Sequence, residues 1–202
     1  MKLTLRNALS VPFAAFVFLI LFSVKTARAD IECNLPYYDG MGGDFKLKDH
    51  NNKPVSLASL KGKIVWLYFG YTSCPDACPT AMATFRRTLK YFTVEKDKIR
   101  VLFITIDPER DTAANLKKYM NFFGKEFTAA RGDEQTTRAV ATSYGVSYFV
   151  TDPGSAAGKI FNHTDKLFLL DNDGKIRGIY DQKDADKLAA DTSLIYTTVW
   201  GY

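Results

Sequence analysis

The stretch from Lys63 to Pro79, KIVWLYFGYTSCPDACP, decides how this chain is to be read. Lys63 to Phe69 is β-branched and aromatic, with no polar alternation. Such a run is too apolar for a half-exposed strand and predicts a central strand buried on both faces. From Gly70 to Pro79, two prolines and Asp76 break both the strand and the helix period, which predicts a loop. Then Met82, Phe85, Leu89 and Phe92 recur at i, i+3, i+7 and i+10, one face of a helix. Cys74 therefore follows a buried strand, and Cys78 is expected immediately before a helix. Pro79 suits the first helical position, because the N–H it lacks would go unpaired there.

The pattern extends in both directions from this stretch. Arg100 to Ile106 (RVLFITI) predicts a second buried strand, ended by Asp107-Pro108-Glu109-Arg110-Asp111. Leu116, Tyr119, Met120 and Phe123 mark another helical stripe. Phe127 to Ala130 reads as a short strand and Asp133 to Tyr144 as a third helix. Upstream, Asp44 to Leu60 resembles a hairpin turning at His50-Asn51-Asn52-Lys53. Downstream, Ala156, Ala157 and Gly158 lie in a loop. Lys166 to Leu170 and Lys175 to Tyr180 are strands joined through Asp171-Asn172-Asp173-Gly174, and Asp184 to about Leu194 is a helix. This order predicts an α/β fold, a thioredoxin-like three-layer sandwich with a central mixed β-sheet. It would occupy residues 44–202 as a single domain, after a surface lead-in over 30–43.

Residues 1–29 read as a signal peptide. Lys2 and Arg6 start it, Leu9 to Val24 form an apolar run, and Ala27-Arg28-Ala29 offers a small-x-small cleavage site. The alternative is an uncleaved anchor, but the run of 16 residues makes roughly 24 Å of helix against a bilayer core of about 30 Å. Either way the globular part is exported, which in a bacterium means the periplasm, with residues 9–24 as the tether if it is kept. The whole chain of 202 residues carries a net charge of +5. Removing Lys2, Arg6, Lys25 and Arg28 leaves 23 basic against 22 acidic residues. A nearly neutral exported domain gives no reason for a nucleic-acid partner. Three cysteines are too few for a disulfide scaffold.

Cys74 and Cys78 are the residues fitted for chemistry. Both stand at the positive end of a helix, which favours the thiolate that attacks disulfides and binds soft metals. Spacing alone does not separate a redox dithiol from a metal site. The chain has two histidines. His50 falls in a polar turn and reads as a solvated loop residue. His163 enters the strand that begins near Lys166, and in a thioredoxin-like topology that segment passes beside the redox loop. Two thiolates and an imidazole suit copper or zinc. Asp107 would share the sheet edge with Cys74 if the two buried strands are parallel. Capping of the next helix by Asp107 or Asp111, or a local salt bridge, is the expected role there. Met82 matches the core stripe, and Cys33 reads as a free thiol in a mobile lead-in.

The segment Tyr68 to Pro79 resembles the signature of the Sco/SenC family. Ile104-Thr105-Ile106-Asp107-Pro108-Glu109-Arg110-Asp111-Thr112 and His163-Thr164 with Asp173-Gly174-Lys175 are similar to two further family blocks. The likeness spans roughly residues 43 to 182. It implies a copper-binding thioredoxin-like protein of cytochrome c oxidase assembly, with Cys74, Cys78 and His163 as the ligands of one Cu(I) or Cu(II) ion. It departs from the family at Asn162, commonly acidic, and at Asp165 and Lys166, usually apolar.

The expectation is a copper metallochaperone serving oxidase subunit II or another copper client. A periplasmic thiol reductant would keep Cys74 and Cys78 from forming their redox-active disulfide, and an upstream copper donor would load the site. The alternative is a thiol-disulfide reductase acting on the client's copper-site cysteines, with His163 only tuning the thiols. A thiol peroxidase is a third reading, although only Thr72-x-Cys74 of its pattern is present.

Overall fold

The computed structural model describes residues 32–93, 95–151, 154 and 159–201. The predicted signal segment 1–29, the loop residues Ala156 to Gly158, and Pro153 lie outside them.

The strands, in chain order, are β1 (Leu47–Asp49), β2 (Pro54–Val55), β3 (Ile64–Gly70), β4 (Ile99–Thr105), β5 (Phe127–Arg131), β6 (Tyr148–Thr151), β7 (Ile160–His163), β8 (Leu167–Leu170) and β9 (Ile176–Tyr180). The helices are α1 (Ala77–Thr88), α2 (Ala113–Met120), α3 (Glu134–Ser143) and α4 (Ala185–Trp200). One mixed sheet runs β2-β1-β5-β4-β3-β8-β9, and β6 and β7 form a separate hairpin. β3 lies parallel to β4 and antiparallel to β8, and every residue of β3 is buried. This central position is why its sequence shows no polar alternation.

The two faces of β3 point into two helical layers. Trp66 stacks on Phe85 of α1 at 5.6 Å, and its indole N–H donates to the Thr192 hydroxyl of α4 at 3.0 Å. On the same face Phe103 of β4, the register partner of Tyr68, meets Tyr119 of α2. On the other face Phe69 packs against Phe168 and against Tyr144, which follows α3. The result is the expected three-layer, thioredoxin-like α/β sandwich. Gly174 closes the β8–β9 turn at φ +80°, where a side chain would be strained.

Four local expectations are corrected. Helix α1 begins at Ala77, so Cys78 is already helical and Pro79 is the third helical residue. That is still within the first turn, where a missing N–H goes unnoticed. Thr112, and neither Asp107 nor Asp111, caps α2 by accepting from the Asn115 amide. Helix α4 continues past Leu194 to Trp200 and ends on Gly201 in the left-handed conformation. The fourth concerns the lead-in before β1, which is tied down, so Cys33 is not in a mobile segment. Buried Arg177 of β9 donates to the carbonyls of Cys33, Leu35 and Pro36 and to Cys33 Sγ, and pairs with Asp171 at 3.2 Å. Cys33, Leu35, Tyr38 and Met41 pack against the core.

His50 is likewise not simply solvated. Its ring Nδ1 accepts from the Ala129 amide at 3.0 Å, pinning the β1–β2 turn to β5. Burial lowers its pKa. Among the described residues no helix is long and apolar enough to cross a membrane.

Candidate metal centre

Parallel pairing of β3 and β4 brings their carboxyl ends side by side, with Gly70 opposite Thr105. The Ile106 amide then donates to the Gly70 carbonyl at 2.8 Å. The two following loops leave the same sheet edge, where α/β proteins place their sites. The first loop delivers Cys74, and the first turn of α1 delivers Cys78. The third contributor comes from the β6–β7 hairpin, whose last residue is His163, in register with Tyr148.

These elements bring the three expected residues together. The donor atoms of Cys74, Cys78 and His163 all lie within 4.8 Å of one another. Cys78 Sγ is 3.6 Å from His163 Nε2, and the Cys78 amide donates to Cys74 Sγ at 3.4 Å. The other ring nitrogen, Nδ1, is 2.9 Å from the Thr164 carbonyl. A carbonyl only accepts, so Nδ1 carries a hydrogen, and Nε2, on the side of the sulfurs, is the ring nitrogen available to a metal. This is the outer bond that metal-binding histidines make. The imidazole stands edge-on to Tyr68 and Tyr71, with ring centroids 6.0 and 6.1 Å away.

Cys78 is fully buried, whereas Cys74 is half-buried. The Cys78 sulfur accepts from the Tyr71 amide at 3.5 Å and lies 4.0 Å from the Tyr68 hydroxyl. Gly70 makes the approach feasible, since a Cβ there would sit 2.8 Å from Cys78 Sγ. The thiol of Cys78 donates to Cys74, which pulls the Cys74 pKa down; His163 and the amides of Asp76 and Cys78 add to this against burial. The same bond, with burial, pushes Cys78 up. The more accessible Cys74 therefore gives up its proton more readily than buried Cys78. Burial likewise raises Tyr68, and the neighbouring Cys78 adds to it.

The remaining candidates fall elsewhere. Asp107 is buried in an ion pair with Arg110, the salt bridge expected as one of its roles, and is not in the donor cluster. Met82 is fully buried in the core. Sequence reasoning missed Tyr68, Tyr71 and Gly70, and gave Asp111 a capping role where it instead holds Thr72 and Thr105. Gly70 alone left a signal, a glycine ending an otherwise bulky strand, which marks a close approach.

The fold and this site define a thioredoxin-like protein with a Cys–Cys–His donor set at the carboxyl edge of its sheet. Residues 36–196 match the family model described as SCO1/SenC. The chain belongs to the SCO1/SenC family. A SCO2-like protein of Rickettsia felis is 33% identical over 160 residues, covering 77% of this chain and 78% of the relative. ScoI of Bradyrhizobium japonicum, solved with copper bound, is 36% identical with a TM-score of 0.70, covering 76% of this chain and 98% of that one. ScoI of Arabidopsis thaliana, also solved with copper bound, is 27% identical with a TM-score of 0.69, over 77% and 98%.

Proposed function

We propose that this chain is a copper metallochaperone that carries one copper ion on Cys74, Cys78 and His163. The observation that carries the reading is the convergence of two cysteine sulfurs and a correctly oriented imidazole nitrogen within 4.8 Å. Two thiolates favour soft Cu(I), and the imidazole also accommodates Cu(II). The copper-bound Sco relatives support the choice of copper over zinc. Three protein donors leave a coordination position through which a client's cysteine or histidine enters before the donor ligands leave. Half-buried Cys74 is the accessible sulfur for that exchange.

Loss of two electrons, with whatever protons the sulfurs still carry, from Cys74 and Cys78 forms a disulfide and removes both sulfur donors. A thiol reductant must return those electrons before the next loading. The client is the copper centre of cytochrome c oxidase subunit II, a role drawn from the family resemblance. Residues 1–29 direct the chain to the periplasm. A second reading, thiol-disulfide reductase, draws support from the unequal sharing of the thiol proton: an exposed Cys74 thiolate attacks, and buried Cys78 resolves.

The test is an anaerobic Cu(I) titration of the reduced chain against a competing chelator, with His163→Ala alongside. The expected result is one copper per chain, with clearly weaker binding in the variant. No competition by the native chain would overturn the chaperone reading. Fast disulfide exchange that survives His163→Ala would then favour the reductase.

A further inference from the structure

The proposed donors are held in place by a residue that contacts none of them. Asp111 is fully buried (0% exposed) just before α2. Its Oδ2 accepts from the Thr72 amide at 3.0 Å and from the Thr105 hydroxyl at 2.6 Å, and its Oδ1 accepts from the Thr72 hydroxyl. The anchor side of this clasp is rigid. Thr105 ends β4, and its hydroxyl also accepts from the Asp107 amide at 3.0 Å, while the Asp111 amide donates to the Asp107 carbonyl at 2.9 Å.

The held side is the loop that positions both sulfurs. Thr72 follows Tyr71, whose amide points at Cys78 Sγ and whose carbonyl accepts from the Cys74 amide at 3.3 Å. Fixing Thr72 therefore fixes one donor to Cys78 and the backbone position of Cys74 together. A carboxylate serves here because it accepts several bonds at once, so one side chain captures both the amide and the hydroxyl of Thr72.

We propose that Asp111 is a positioning residue of the sulfur site, acting through Thr72 to set where Tyr71 N–H and Cys74 stand relative to Cys78. The inference rests on the reading of Cys74, Cys78 and His163 as the metal donors. It differs from a plain stabilising role in what it predicts for the folded protein. Ligand geometry and the ease of disulfide formation depend on the same few loop atoms, so both should shift when the clasp is cut.

Three full-chain variants test this: Thr72→Val, which removes only the hydroxyl; Thr72→Ser, which restores it; and Asp111→Asn. Each is compared with the native chain for competitive Cu(I) affinity, for the Cys74–Cys78 dithiol–disulfide equilibrium against glutathione, and for urea stability. Thr72→Val is expected to weaken Cu(I) binding about 10-fold, the lower end for an outer partner of a metal ligand, and to shift the glutathione equilibrium. Thr72→Ser should stay within about twofold on both. Asp111→Asn should fall no further than Thr72→Val, because its oxygen can still accept from the Thr72 amide and the Thr105 hydroxyl while its nitrogen donates to the Thr72 hydroxyl. Native affinity and a native thiol equilibrium in Thr72→Val would overturn the proposal, whatever happens to stability. Should Asp111→Asn fail to fold, the half-buried Thr72 pair still decides. If the native chain takes up no Cu(I), the functional reading fails, and the glutathione equilibrium still judges the clasp.

Discussion

At the edge where β3 and β4 end, Cys74 and Cys78 hydrogen-bond to each other and face Nε2 of His163. At the opposite edge, where β9 begins, Cys33 Sγ lies 3.2 Å from the guanidinium of Arg177. Both regions bury charge and hold sulfur, yet they are built for different ends. Around Arg177 every strong donor is aimed at a fixed carbonyl or at Asp171, and the Tyr37 ring lies 3.9 Å from the guanidinium. Around Cys78 the donors point at sulfur, and the sulfurs and the imidazole point at one another. The first arrangement fastens a strap to the sheet. The second holds electron pairs ready for a soft metal or for a disulfide.

Substitutions should separate the two regions. Cys78→Ser should cost the most in function. Cu(I) affinity should fall beyond the roughly 100-fold that marks the upper end for outer-shell partners, as read by chelator competition. Affinity kept within tenfold of native would break the distinction between the edges. Arg177→Ala should do the reverse. Removing one member of a buried ion pair leaves Asp171 uncompensated and should lower stability by about 3 kcal/mol in urea denaturation. The folded fraction should bind Cu(I) with native affinity.

The tighter hold of Cys78 on its proton gives the next effect. With Cys74 pulled down and Cys78 pushed up, metal uptake near neutral pH displaces one proton. Apparent Cu(I) affinity should therefore fall about tenfold for each unit of acidification, measured by the same competition between pH 8 and pH 6. A flat profile would mean that both sulfurs are already deprotonated. The smallest effect belongs to Cys33→Ser. The serine oxygen still accepts from Arg177, so stability should change by less than about 1 kcal/mol and Cu(I) binding should not change.

The same contrast explains what was legible in the sequence. The Cys74–Cys78 loop could be read because strand, loop and helix each carry a local signal: the unbroken apolar run, the two prolines, and the spacing of Met82, Phe85 and Leu89. His163 could be placed only through topology. The β6–β7 hairpin that presents it was not foreseen, since Phe149, Val150 and Ile160 lie exposed and break the alternation a half-buried strand shows. The start of α1 was placed too late because Pro79 fits the first position well. What the sequence does not show is that Cys74 Sγ takes the Cys78 amide, which lets the helix begin at Ala77. In one dimension Arg177 looks like an ordinary surface charge and Asp111 like a helix cap. Their roles come from contacts across 144 and 39 residues, beyond the reach of any local pattern.

The most direct test is X-ray absorption at the copper edge of the anaerobically loaded, reduced chain, with His163→Ala as the control. The account predicts a first shell of sulfur and one imidazole nitrogen in the native chain, with the nitrogen lost in the variant. A sulfur-only shell that is the same in both would contradict the three-donor centre.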